Sequence, residues 1–231
     1  NTESENMEEM IPFFAFGGVI MLVVMILAYS YYAAKKRAEA MQAVAPRMGF
    51  TYQDKANEIK REYGHLNLFS RGHSHRVINC LRGERNGIEV SMADYHYTVG
   101  HGKNSSHYSQ TICIIKDPSF DLPNFFVRHE NKFFDYLGKL FGGQDINFPE
   151  DEKFSSAFVL QGKVEAETRY LFNQRVRDAF LKFSGTNSQI EGQGNSLILH
   201  KGVIVKPEEL SLLLKDTFDV YNAIKARDTD Y

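Results

Sequence analysis

The first strong pattern along the chain is an apolar run over residues 11–34 that contains no charged residue. A helix rises about 1.5 Å per residue, so this run covers roughly 36 Å and exceeds a bilayer hydrocarbon core of about 30 Å. Four glutamates precede the run, and Lys35, Lys36 and Arg37 follow it. A signal peptide would place its basic residues before a shorter run. The charge order therefore predicts a transmembrane helix that remains attached to the protein.

The residues at the end of the run predict its orientation in the bilayer. Tyr29, Tyr31 and Tyr32 are placed as an interfacial aromatic belt. The basic residues 35–37 favour the cytoplasmic side, so we expect the N-terminus outside and the following domain in the cytoplasm, on a bacterial inner membrane. We expect four parts, an outer segment 1–10, a transmembrane helix 11–34, a helical stalk 35–48 broken at Pro46, and a soluble domain 49–231.

Past residue 75 the pattern changes to runs rich in β-branched and aromatic residues. The first two runs, residues 75–82 and 88–98, are separated by Asn86 and Gly87, a strong hairpin signal. Two more runs follow at residues 111–116 and 125–129. Because the connections are short, we expect consecutive strands to pair as an antiparallel meander.

Helical patterns dominate the second half of the chain. Residues 131–141 and 165–183 each carry apolar residues at helical spacing and end before glycine. The last helix starts at Pro207, which suits a first turn, and its apolar stripe runs from Leu210 to Ile224. A short strand at 158–160 and a hairpin of residues 188–191 and 197–200 lie between these helices. Strands followed by helices predict an α+β fold.

Composition and charge narrow the classes of function. The chain has 231 residues, of which 43% are hydrophobic and 24% charged, and this is typical of a globular protein. A net charge of -2 argues against a nucleic-acid partner, because such proteins usually carry a basic excess. Cys80 and Cys113 both lie in strand-like runs, which favours buried thiols in a reducing compartment over a disulfide framework.

Four short strings in the first strand region carry a family resemblance. They are SRGHS at residues 70–74, LRGE at 81–84, DYHYT at 94–98 and GKNS at 102–105. With these strings and its N-terminal apolar helix, the chain resembles a family of uncharacterised bacterial single-pass membrane proteins. The resemblance implies a bacterial origin and an intact domain from about residue 49 onward, and it implies no activity, ligand or catalytic residue.

Two motifs invite a chemical interpretation that their surroundings oppose. The string at residues 100–105 looks like a phosphate-binding P-loop, but that motif needs glycine at position 97 and Ser or Thr at position 104. Tyr97 and Asn104 stand there instead, and the string joins two predicted strands, so we expect a hairpin tip. Cys80 beside a histidine would resemble a nucleophile pair, but its position inside a strand favours an inert core thiol.

Histidine is concentrated between residues 65 and 107. His73 and His75 share a face on an extended strand, a spacing that zinc sites use. His96, His101 and His107 flank the predicted hairpin tip and are able to approach them. These five residues are candidate metal ligands, with solvated loop histidines as the competing interpretation. Arginines in the same region are candidates for binding an acidic partner or headgroup, with a solvated strand edge as the alternative: Arg71, Arg76, Arg82 and Arg85.

These observations favour a membrane-anchored cytoplasmic interaction module, an accessory or scaffold subunit of a larger membrane assembly. Its expected partners are the lipid bilayer and other membrane protein subunits. The run at 11–34 lacks the charged residues that mark a solute pathway through a membrane. Two alternatives stay open, a sensor that binds a metal or small ligand at the His-rich loop, and a hydrolase. No motif calls for a cofactor, and none is expected.

Overall fold

The computed structural model describes residues 2–129 and 145–227, with side chains described from residue 17 to 129 and from 145 to 226. The chain divides into two compact units, residues 1–41 and 42–231. Helix α1 runs from Thr2 to Val44 as one continuous helix. A short 3-10 turn at Pro46–Met48 follows it, and Gly49 then adopts a φ of 77°. The predicted break at Pro46 is therefore confirmed, and the apolar run and the stalk belong to the same helix.

The second unit is built on an antiparallel sheet, which has eight strands in the described part of the chain. Their spatial order is β1-β2-β3-β4-β8-β7-β5-β6. The strands are β1 (Thr51–Lys55), β2 (His73–Arg85), β3 (Ile88–Val99), β4 (Ser106–Lys116), β5 (Leu122–His129), β6 (Phe158–Gly162), β7 (Gln189–Gly194) and β8 (Ser196–His200). The α+β class is confirmed.

The meander continues through the first four strands but does not extend to β5. Strand β4 pairs with β8, as in Cys113 opposite Leu199, and β5 lies between β7 and β6. All five residues of β8 are buried, which is the pattern of a strand covered on both faces and paired on both sides. The expectation that residues 111–116 and 125–129 pair with each other is therefore wrong, because the buried β8 takes the place beside β4.

Helices cover both faces of this sheet. The front face, which carries Tyr95, Ile112 and Ile198, packs against a segment containing α2 (Glu58–Glu62) and α3 (Asn67–Ser70). The back face carries Cys113 and packs against α7 (Leu210–Arg227), where the Cys113 thiol meets Thr217. A small domain of this kind is stabilised mainly by the apolar area buried between such layers.

One predicted helix is divided in two. Residues 165–183 form α5 (Glu165–Leu171), α6 (Gln174–Phe180) and a 3-10 turn at Leu181–Phe183, with α4 (Glu152–Ala157) preceding β6. The break falls at Asn173, whose ψ of 172° is extended and whose side chain accepts a hydrogen bond from the Val176 amide at 3.1 Å. The apolar spacing continues across this N-cap, which is why the pattern looked like one helix. The predicted helix at 131–141 lies outside the described residues.

Candidate functional site

The candidate histidines lie around the β3–β4 hairpin but divide into separate contacts. The rings of His73 and His101 stack with centroids 5.1 Å apart, and His73 Nε2 lies 2.9 Å from the Gly100 carbonyl oxygen. His75 Nδ1 lies 2.6 Å from the Tyr95 hydroxyl. A left-handed residue, Ser74 at φ 55°, interrupts the strand between them. The expectation that His73 and His75 share a face assumed a regular strand. Strand β2 instead has a bulge between His73 and Arg76, which interrupts the regular alternation of side chains there.

The other two histidines each meet a hydroxyl across the hairpin. His96 Nδ1 lies 2.8 Å from Ser109 Oγ, and His107 Nδ1 lies 3.0 Å from Thr98 Oγ1. Within the described residues, no group of three or more His, Cys, Asp or Glu side chains is arranged to hold a metal ion. The structure brings His73 and His101 together, and the five candidates do not form one cluster there.

The glycine-rich string, the two cysteines and the candidate arginines lie in places that their structural interpretations predict or that the fold explains. Residues Gly102–Asn104 form a short 3-10 turn at the tip between β3 and β4 and open no helix, as the hairpin interpretation requires. Cys80 and Cys113 are buried and free, and burial raises the pKa of the Cys80 thiol to about 11. A raised pKa disfavours the thiolate that a nucleophile needs. Of the four candidate arginines, Arg82 pairs with Glu62 at 3.1 Å, Arg76 and Arg85 are exposed, and Arg71 is buried.

A cavity of about 200 Å³ lies on the front face of the sheet in the second unit. Its polar lining includes side chains that are only 3% to 8% exposed, Arg71, Gln110, Arg128 and His200. Tyr97 and Tyr108 also line it, with rings stacked at 5.0 Å, and Tyr108 is the more exposed of the two. No carboxylate occurs among the described residues that line the cavity.

Strand register builds the floor of this cavity. Arg128 on β5 lies opposite Gln189 on β7, and Gln189 lies opposite His200 on β8. Residues directly opposite one another in antiparallel strands project from the same face. The three side chains thus form one row across the sheet, which we call the polar row. Tyr97 and Tyr108 are paired in the same way on β3 and β4.

A separate segment places Arg71 over this floor. Arg71 follows α3, and its guanidinium lies 5.3 Å from the centre of the Phe126 ring. Gly72 next to it has φ 67°, and a Cβ there would lie 2.1 Å from the Thr98 carbonyl oxygen, so only glycine allows this approach to β3. On β7, the buried Glu191 accepts hydrogen bonds from the amides of Asn67 and Leu68 at the start of α3. Glu191 therefore fixes the segment that carries Arg71.

The described lining of the cavity carries basic side chains and no acidic one. Burial lowers the pKa of His200 to about 3, with Arg71 adding to the effect, so the ring is neutral at physiological pH. Burial raises the pKa of Glu191 to about 7. The Lys201 ammonium is engaged 2.8 Å from Asp216 on α7. Among the described residues that line the cavity, Arg71 and Arg128 carry buried guanidinium groups, and Arg71 also interacts electrostatically with Glu191.

Sequence analysis identified Arg71 as a candidate and missed all three residues of the polar row. Arg128 and His200 each stand at the end of an otherwise apolar strand, in the strings FFVRH and LILH. Gln189 similarly precedes the buried Ile190. A polar residue at the end of an apolar strand is the available signal, but the strand pairing was needed to see that these ends meet.

No family model matches the chain, and no curated protein matches its sequence. Among solved structures, the chain is similar to the crystal structure of the mycobacterial trehalose monomycolate transport factor A, TtfA. The TM-score is 0.58 and the identity is 9%, and the match covers 81% of this chain and 93% of the other. At this identity the likeness shows a shared fold.

Proposed function

We propose that this chain is a membrane-anchored accessory subunit, with α1 crossing a bacterial inner membrane and the α+β domain binding other subunits on the cytoplasmic side. The observation that carries the proposal is the exposed apolar surface of α1. The side chains from Val19 to Leu27 that are large and hydrophobic are each 48% to 66% exposed. A helix that is apolar all round has no stable place in water, whereas lipid satisfies it.

The length of the apolar helix supports the same proposal. By length and composition, one helix in the described part of the chain is able to cross a membrane, over Gly17–Met48. Tyr29, Tyr31 and Tyr32 are all exposed on it, as residues of an interfacial belt would be, and Lys35 and Lys36 follow. These residues are proposed to lie at the cytoplasmic interface, where basic side chains gain about 1 kcal/mol each near anionic lipid.

The shared fold of the structural neighbour is compatible with an accessory role. That protein is described as a transport factor, and its fold extends over most of this chain. The apolar run of this chain has no charged residue over positions 11–34 that would form a path for a solute. A helix of this composition is suited to anchoring, so the proposed contribution to a membrane assembly comes from the folded domain.

Native mass measurement tests the proposal. The chain, expressed from its own chromosome position and extracted in mild detergent, is expected to run as part of an assembly larger than its own 26.5 kDa. A matched variant replaces residues 11–34 with an unrelated single-pass helix. Because the domain is proposed to make the contacts, this variant should keep the assembly. A lone monomer for both proteins contradicts the accessory role, and extraction of the unaltered chain by alkaline carbonate contradicts the anchor.

A further inference from the structure

We propose that the cavity on the front face binds a small monocarboxylic acid, with its carboxylate held by Arg128. This site is separate from the membrane anchor and from the proposed assembly contacts, and it stands or falls without them. Arg128 reaches the cavity from β5, Gln110 from β4 and His200 from β8. The proposal rests on the charge of Arg128, on the two neutral donors, and on the size and walls of the cavity.

Arg128 differs from the other arginine and lysine side chains of the lining. Arg71 interacts electrostatically with Glu191 on β7, and the Lys201 ammonium lies 2.8 Å from Asp216 on α7. Arg128 forms no ion pair within the part of the chain that the structure describes. A guanidinium group stays protonated in proteins. The lining therefore contains one positive charge for which the described residues supply no acidic partner.

Arg177, on α6, shows how the same chain accommodates a compensated buried arginine. Arg128 and Arg177 are both 5% exposed. Arg177 Nε donates to Asp151 Oδ2 at 2.8 Å, and its Nη1 donates to the Phe172 carbonyl oxygen at 2.9 Å. In contrast, Arg128 Nε has no acceptor among the described residues, and its Nη1 contact is 3.5 Å from the carbonyl oxygen of the next residue. Because a buried charge without a partner is costly, a bound anion would stabilise Arg128.

Two neutral side chains of the lining add hydrogen-bond donors. Gln110 is 3% exposed, and its Nε2 lacks an acceptor among the described residues. His200 Nδ1 accepts a hydrogen bond from the Gly202 amide at 3.2 Å. In the neutral ring the proton therefore resides on Nε2, which makes His200 a donor as well. A carboxylate has two oxygen atoms that accept several hydrogen bonds, so it is complementary to a guanidinium group with these donors.

Charge and size indicate a monocarboxylic acid with a small apolar part. A single carboxylate balances Arg128, whereas a doubly charged anion would exceed it. The rings of Tyr97 and Tyr108 and the side chain of Val203 also line the cavity and provide apolar walls. A cavity of about 150 Å³ is known to bind benzene, and this one has about 200 Å³. A carboxylate attached to an apolar group of about the size of a benzene ring is therefore the expected ligand.

Calorimetry on the full chain in maltoside micelles at neutral pH tests the proposal, after titrations into empty micelles are subtracted. The probes are benzoate, benzamide and phenyl phosphate, which share one ring and differ in charge. Benzamide is neutral, and a phenolic phosphate carries about −1.5 to −2 charges. Benzoate should bind at least about tenfold more tightly than benzamide and more tightly than phenyl phosphate. No binding of benzoate, or equal or tighter binding of either comparison probe, overturns the proposal.

Three variants connect the binding to Arg128. Arg128→Met should abolish the preference for benzoate over benzamide, and Arg76→Met, which removes an exposed charge from β2 outside the cavity, should keep it. Arg177→Met leaves Asp151 without its partner, so it should lower the thermal unfolding midpoint more than Arg128→Met does. An Arg128→Met midpoint lowered as far as that of Arg177→Met, or failure to fold, means that the protein itself compensates Arg128 and overturns the proposal. An unchanged preference in Arg128→Met, or its loss in Arg76→Met, does the same.

Discussion

A buried hydrogen bond between Asp117 and Tyr221 connects the turn after β4 to α7, and its strength can be measured. The Tyr221 hydroxyl donates to Asp117 Oδ2 at 2.7 Å, and both residues are 6% exposed. Asp117 Oδ1 accepts from the Ser119 amide at 2.9 Å and from the Ser119 hydroxyl at 2.7 Å. Lys225 Nζ completes the set at 3.0 Å from Oδ2.

The expected magnitude follows from charge and burial. A hydrogen bond to a charged group contributes about 1.5–3 kcal/mol, and the short Tyr221 contact is of this charge-assisted kind. Urea unfolding of Asp117→Asn, Tyr221→Phe and the double variant, all in detergent, should therefore give a coupling free energy in that range. Lys225→Met is the matched control for the exposed end of the network, and it should cost no more than about 1 kcal/mol because solvent screens the pair.

The coupling should also depend on pH. Burial opposes ionisation of Asp117, but the hydrogen bonds from Ser119, Tyr221 and Lys225 outweigh it and hold its pKa well below the ordinary 3.8. A carboxyl pKa lowered by folding contributes stability that is present above the unfolded value and is lost as the pH falls below it. The coupling should thus be complete at neutral pH and decline below pH 3.8. Additive single and double variants at neutral pH would refute this reasoning.

Three other measurements test other parts of the structure. Burial raises the pKa of Glu191 from 4.5 to about 7, so the free energy of unfolding should fall as the pH rises through this interval. Glu191→Gln should remove this pH dependence from the urea unfolding midpoints, and an equal pH dependence in the variant refutes the assignment. Asn173→Ala should cost about 1 kcal/mol in thermal unfolding by removing the N-cap, while Asn173→Asp keeps it; equal losses would exclude the cap. A reporter active only in the cytoplasm should work after Tyr231, and reversing the charges around residues 11–34 should invert that result; unchanged topology would contradict the charge argument.

Local patterns were sufficient to predict several elements. Alternating β-branched and aromatic residues identified β2, β3 and the β7–β8 hairpin, and the apolar stripe identified α7. Strand β1, residues Thr51–Lys55, was not predicted. Four of its five residues are exposed, so it lacks the alternation of apolar and polar residues that marks a half-buried strand. It is an edge strand, held through its backbone pairing with β2.

Long-range contacts account for what the sequence analysis missed. The pairing of β4 with β8 depends on which strand best fills a buried position, and no local pattern encodes that choice. The same holds for the cavity, since Arg128, Gln189 and His200 become neighbours only through the register of three strands. Arg71 was among the candidates as one of four arginines, but its burial follows from the approach that Gly72 allows.

The junction between β4 and β8 has a consequence for how the molecule folds. Strands β1 to β4 pair in sequence order, but the contact of Cys113 with Leu199 must close a loop whose described part includes β5, β6, β7 and three α-helices. Closing a long loop costs entropy before its contacts are gained, so such pairings tend to form late and slowly. The cavity takes Gln110 from one side of this junction and His200 from the other. A chain arrested before closure would thus show much of its native secondary structure and still lack the cavity, so the cavity is completed only at a late stage of folding.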